Sequence, residues 1–192
     1  MKSINLDKDI MALRHSAAHL LAHAVMELYP DTILTIEDLP KIEAHMKEIA
    51  DRNLPLTHEP MAKEEARKLY KNNLFKLELI EGIPGDTVGI ARQGDFYDLC
   101  RGGHVSTTSL IKNIKLTGIS GSYWRADRNG QKLQRISGIA FFTPEDLAEY
   151  ERKKEEAAKY DHRRLGKQLD LFSFHDEGVG FPFFHPKGKL VI

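Results

Sequence analysis

The chain has one cysteine in 192 residues, which excludes an internal disulfide and fits a reducing compartment. It has no net charge, with 28 basic residues against 28 acidic ones, so any contact with nucleic acid must come from local patches. No apolar run approaches the ~18–20 residues that cross a bilayer, and the amino terminus carries no apolar leader core. These absences point to a cytoplasmic protein with no membrane partner. Internal repeats and low-complexity tracts are also missing. The 41% hydrophobic and 29% charged content is that of a globular protein able to build a core, long for one domain and short for two.

The single cysteine sits in Asp98-Leu99-Cys100-Arg101-Gly102-Gly103-His104. A thiol, an imidazole and a carboxylate share one loop, and the glycine pair lets the backbone turn at positive φ. A Cys-x3-His pair is half of a metal or hydrolytic site. The other half is expected in Arg14-His15-Ser16-Ala17-Ala18-His19, where an i, i+4 pair on a helix aims two imidazoles at one point. His23 follows at i+8 and is expected to drift outside the site. Three imidazoles and one sulfur, His15, His19, His104 and Cys100, also make a tetrahedral zinc set.

Helical spacing of Ile10, Leu13, Ala17, Leu20, Leu21, Ala24, Val25 and Leu28 predicts a first helix capped by Asp7 or Asp9 and stopped by Pro30. A short strand over 32–36, a second helix to about Arg52, an extended 55–60 and a third helix over 62–70 follow. Alternation then predicts strands at 75–80, 87–92, 96–100, 111–116, 121–126 and 133–142, with Asn129-Gly130 as a hairpin turn. Thr143-Pro144-Glu145-Asp146 starts a charged helix running to about Leu165, with Gly166 at its end. The fold class is α+β: N-terminal helices on a mostly antiparallel sheet, then a C-terminal linker helix.

Three stretches together resemble the editing domain of threonyl-tRNA synthetases, which is related to that of alanyl-tRNA synthetases. They are Arg14-His15-Ser16-Ala17-Ala18-His19-Leu20-Leu21-Ala22, Asp98 to Val105, and Ser122-Tyr123-Trp124-Arg125-Ala126-Asp127. Tyr160 to Phe172 is similar to that family's linker helix, and Phe183-Phe184-His185-Pro186-Lys187-Gly188 to the entry of its class II aminoacylation domain. The resemblance implies an editing domain over 1–144, a linker helix over 145–168, and the start of an absent aminoacylation domain over 169–192. ATP and a further zinc belong to that absent domain, and the full-length enzyme is expected to be a homodimer.

It implies hydrolysis of serine mischarged on threonine tRNA, releasing serine, with His15, His19, Cys100 and His104 lining the pocket and Asp98 and Lys76 as its acid and amine. An ordinary surface lysine is the competing reading of Lys76, and a packing thiol that of Cys100. No cofactor is expected for editing, since the threonyl type edits without metal while alanyl relatives hold one at these positions. Arg101, Gly102, Tyr123, Trp124 and Arg125 are the candidate substrate and tRNA contacts. From Lys112 to Arg135 six bases face one acid, and the two aromatics there either stack on terminal bases or, as expected, fill the core.

The chain departs from the family twice. Gly103 stands where proline is usual. A Gly-Pro…Gly-Phe-Tyr-Tyr-Asp-Phe segment is missing between Ile36 and Glu37. There a loop lost from the sequence is favoured over a deletion, its sign being a Cα spacing well above ~3.8 Å. Two other readings compete: a free-standing zinc-dependent trans-editing hydrolase, and a non-catalytic tRNA-binding module.

Overall fold

The computed structural model describes residues 5–30 and 34–190. The chain divides into two compact units, Met1–Leu147 and Ala148–Ile192.

The first unit opens with helix α1 (Ile10–Leu28), capped by the Asp9 carboxylate on the Met11 N–H. Helix α2 (Leu39–Asp51) starts on Pro40 and packs beside it. Strand β1 (Leu56–Ala62) and helices α3 (Lys63–Leu69) and α4 (Leu74–Gly82) lead to β2 (Thr87–Gln93) and β3 (Phe96–Leu99). β1, β2 and β3 form one antiparallel sheet, with His58 opposite Ala91 and Ala91 opposite Asp98. A long hairpin, β4 (Asn113–Tyr123) and β5 (Lys132–Phe141), forms a second antiparallel sheet.

Two apolar clusters hold these layers. Leu13, Leu20, Ile42, Met46 and Ile49 of α1 and α2 meet Val105, Ile111, Ile114 and Ala140. Ala66, Tyr70 and Ile80 of α3 and α4 cover Val88 and Ile90 of the three-stranded sheet. None of the helices among the described residues is long and apolar enough to cross a membrane.

Glu27 ties α1 to α2 by pairing with His45 and Arg52, and it also meets His23. The hydrogen bond from Arg52, strengthened by the two imidazoles, holds its carboxyl down at about 2. A carboxyl depressed on folding adds stability that is fully present above its ordinary value near 4.5 and is lost as the pH falls toward about 2. With a third of the side chain in solvent, screening reduces that contribution to on the order of 1 kcal/mol. Denaturant titrations of wild type and Glu27→Gln should therefore differ by that amount at pH 6 and converge as the pH approaches 2.

Several local expectations are corrected. Residues 75–80 are helix α4: Asn73 caps the Lys76 N–H, and Leu77 and Ile80, three apart, form a helical face that also mimics alternation. The strands expected at 111–116 and 121–126 are one strand, β4, which ends in a short 3-10 turn at Trp124–Ala126. The expected strand at 32–36 lies partly outside the described residues, and Leu34 and Thr35 are not in a strand. Ile36 and Glu37 lie in one 3-10 turn, Ile36–Asp38, closed by a capping box between Thr35 and Asp38.

The second unit continues the charged helix. α5 (Pro144–Lys159) and α6 (His162–Gln168) replace the single expected helix, because the Asp161 side chain caps a new start at Arg163 and Arg164. Gly166 lies inside α6, where the Phe172 ring occupies the place of a Cβ. A two-residue pairing of β6 (Phe172–Ser173) with β7 (Phe183–Phe184) completes the unit.

Candidate functional site

The two remote stretches meet. His15 and His19 share one flank of α1, and the loop after β3 brings Cys100 and His104 against them. The Cys100 sulfur lies 3.3 Å from His15 Nε2, 3.3 Å from His19 Nε2 and 3.1 Å from His104 Nε2. His15 and His19 are 3.2 Å apart through their Nε2 atoms. Ser16, fully buried between them, fastens the loop to the helix: its Oγ donates to the Ala12 carbonyl and accepts from the Val105 N–H. Gly102 and Gly103, at φ of 92° and 84°, make the turn that returns His104 to the sulfur. Proline, with φ locked at about −65°, cannot adopt the Gly103 conformation.

Asp98 anchors the arrangement from behind. Its Oδ2 accepts from His19 Nδ1 at 3.1 Å, and its Oδ1 is bonded by the Lys76 ammonium and the Leu99 N–H. With Nδ1–H given to Asp98, His19 presents Nε2 to the cluster as an acceptor. Burial pushes the Asp98 carboxyl up, but the hydrogen bonds from His19 and Lys76 outweigh it and the group stays below the ordinary range. Burial, then the neighbouring imidazoles, push His104 down to about 4, and the same two causes lower His15. Burial raises the Cys100 thiol. Near neutral pH His15 and His104 are therefore neutral and the Cys100 thiol is protonated.

A cleft of about 680 Å³ opens on this cluster. His15, Cys100 and Leu99 form part of its wall, Val88, Leu79 and Ile83 are apolar lining, and Arg101 and Arg125 add two guanidinium groups. Arg125, at φ 51°, is held by Glu78 of α4 at 2.9 Å, and the Trp124 indole donates to the other Glu78 oxygen at 2.7 Å. Trp124 packs on Phe75, while Tyr123 is exposed. The expectation that both aromatics fill the core is corrected, since the hairpin tip sets Trp124 against Phe75 and Glu78 of α4 and leaves Tyr123 exposed.

Lys76 lines a separate, smaller cleft with Tyr70, Phe96 and Asp98, so it meets the quartet only through the carboxylate. His23 turns away to Gln93 and Glu27. The basic stretch is partly neutralised, Lys112 by Asp51, Lys115 by Glu43 and Arg125 by Glu78. Sequence reasoning missed Ser16, Glu78 and His58. A serine between the two histidines on a buried helical face was a usable signal for Ser16; the other two depend on pairings between remote elements.

The quartet also fits a metal. Its four ligand atoms lie within 4.8 Å of one another, and ligands at ~2.0–2.3 Å from a tetrahedral zinc are about 3.3–3.8 Å apart. Asp98 on His19 Nδ1 supplies the outer hydrogen bond such a ligand uses.

Residues 88–137 match the family described as the threonyl and alanyl tRNA synthetase second additional domain. Over 204 positions the chain is 48% identical to a threonine--tRNA ligase of Rubrobacter xylanophilus, covering 95% of this chain and 32% of the relative. Threonine--tRNA ligases of Dehalococcoides mccartyi and Clostridium botulinum are each 47% identical, over 95% and 94% of this chain and 35% and 32% of theirs. The chain thus spans about a third of the length of the curated relatives it matches. In the Rubrobacter alignment the 204 positions hold about 182 residues of this chain (95% of 192), so about 22 belong to the relative alone. The likeness runs along nearly the whole chain, and the matched domain includes the quartet's loop, so the chain is similar to the stretch of threonine--tRNA ligases that carries the second additional domain.

Proposed function

We propose that this stretch hydrolyses the seryl ester of mischarged threonine tRNA, as the proofreading part of a threonine--tRNA ligase that joins threonine to its tRNA with ATP. The observation that carries the reading is three imidazoles gathered within 3.3 Å of one thiol, with His15 and Cys100 on the wall of an open cleft. A synthetic site that holds threonine also admits serine, because one methyl is worth only ~1–3 kcal/mol, and a second, hydrolytic pocket closes the gap.

Neutral His15 or His104 takes a proton from the attacking water as its oxygen bonds to the ester carbonyl. The carbonyl electrons move to oxygen, and the tetrahedral species collapses with loss of the ribose oxygen, which recovers a proton from an imidazolium. His19, oriented by Asp98, completes the proton path. Lys76 acts through Asp98, holding it ionised and in place. The protonated Cys100 thiol is a poor nucleophile and a water route does not need it. Arg101 and Arg125, on the cleft, meet the phosphates of the tRNA end. If zinc binds, His15, His19, Cys100 and His104 hold it and it supplies a Lewis acid; our reading is that editing proceeds without it. We assign residues 1–144 to the editing domain, 145–168 to the linker and 169–192 to the start of the aminoacylation domain, in a cytoplasmic enzyme that is a homodimer at full length.

The test incubates the chain with Ser-tRNA(Thr) and Thr-tRNA(Thr), with and without chelator, beside a metal analysis of the protein. Release of serine but not threonine, surviving chelation in metal-free protein, is expected. Activity that disappears with the metal identifies a zinc hydrolase, and protection of the ester without release identifies a binding module.

A further inference from the structure

We infer that His58 is a positioning residue for the editing centre, a clamp on the backbone of the loop that carries Cys100 and His104. This rests on the hydrolytic reading above, and nothing in the likeness to other proteins assigns it a role.

His58 is on β1, and Cys100 directly follows β3, two strands away across β2. Neighbouring strands lie ~4.8 Å apart, so a side chain must cross ~9.6 Å of sheet to join them. It can do so only where the central strand offers no side chain of its own. Gly89 of β2 supplies that gap: its carbonyl accepts from the Cys100 N–H, and a Cβ there would lie 2.3 Å from His58 Nε2 and 2.2 Å from the Cys100 oxygen. The imidazole lies in this slot and donates from Nε2 to the Cys100 carbonyl at 3.1 Å. Its other side faces Gly102, whose missing Cβ would come within 3.4 Å of His58 Nδ1. One ring therefore packs on Gly102 and bonds Cys100, bracketing the turn that sets the sulfur against three imidazoles. Its centroid is 6.1 Å from that of His104, and it lines the same cleft as His15 and Arg101. The hydrogen bond from the Cys100 N–H to the Gly89 carbonyl fixes one side of the residue, and His58 fixes the carbonyl on the other. A loop made pliable by its two glycines is thus held, between the strand on one side and the Ser16 fastening on the other, at the point where the attacking water must meet its base.

The test compares wild type with His58→Ala and His58→Gln, whose amide nitrogen can take the place of Nε2. Because Cys100 is the only cysteine, its alkylation by iodoacetamide reads the loop at one atom. In His58→Ala, alkylation should accelerate several-fold and kcat for seryl-ester hydrolysis should fall roughly 10-fold, with KM and the melting temperature unchanged. His58→Gln should restore both rates. Equal alkylation in wild type and His58→Ala, or a glutamine variant that behaves like alanine, overturns the clamp. If wild type releases no serine, the hydrolytic reading fails by itself, and the alkylation rates still decide whether His58 holds the loop.

Discussion

Replacing His19 with alanine should lower the rate of seryl-ester hydrolysis by about 10²–10³-fold, the range typical of a lost proton-transfer group. His19 is the one side chain that touches the other functional groups on both sides, with Nε2 near His15 and Cys100 and Nδ1 on Asp98. Its removal cuts the path by which, among the described residues, the carboxylate orients an imidazole. The loss should appear in kcat and leave KM near wild type, since the arginines on the cleft are untouched. The fold should survive, because Asp98 keeps Lys76 and the Leu99 N–H as partners and is not left as an unpaired buried charge. A single-turnover assay on Ser-tRNA(Thr) measures it, and a rate within about threefold of wild type would remove His19 from the chemistry.

Truncating Leu20 to alanine is expected to cost about 2–5 kcal/mol, the range for a fully buried leucine whose surroundings cannot collapse into the space. Leu20 is wholly inaccessible and belongs to the larger apolar cluster, on the face of α1 adjacent to the histidine flank. The lost dispersion contacts and the residual cavity act together, so the cost exceeds simple transfer of the removed methyl groups. Trp124, the only tryptophan, lies in the same unit and reports its urea unfolding by fluorescence. Met11 on the same helix is 66% exposed and gives the control: Met11→Ala should change stability by less than about 0.5 kcal/mol. A Leu20→Ala midpoint indistinguishable from that control would show that the α1 face is not the core.

Local signals made much of this protein readable. The Asp9 cap, the apolar stripe of α1 and the Thr143-Pro144 start are short-range patterns, and each element begins where those residues place it. The misread stretch 75–80 shows their limit. In Phe75-Lys76-Leu77-Glu78-Leu79-Ile80 the apolar positions satisfy both periods, and the Asn73 cap with Leu and Glu in the run favours the helix. That change moves Lys76 from a strand beside the loop to a helix behind Asp98, and it gives Glu78 the role of holding Trp124 and Arg125. In the same way, the single helix expected up to Leu165 ignored Asp161 as a second cap and Gly166 as a seat for Phe172.

The chemistry of the centre was written in the sequence itself: two imidazoles one helical turn apart and a thiol four residues from a third are properties of residue type and spacing. What the tertiary structure alone decided is which remote atoms oppose one another. The buried Ser16 hydroxyl must meet the Val105 amide, Asp98 must choose His19, and His58 must pass over a glycine two strands from its target. Those pairings depend on strand register and on packing between helices and sheets, both set by burial of apolar area over the whole unit, and no spacing along the chain encodes them.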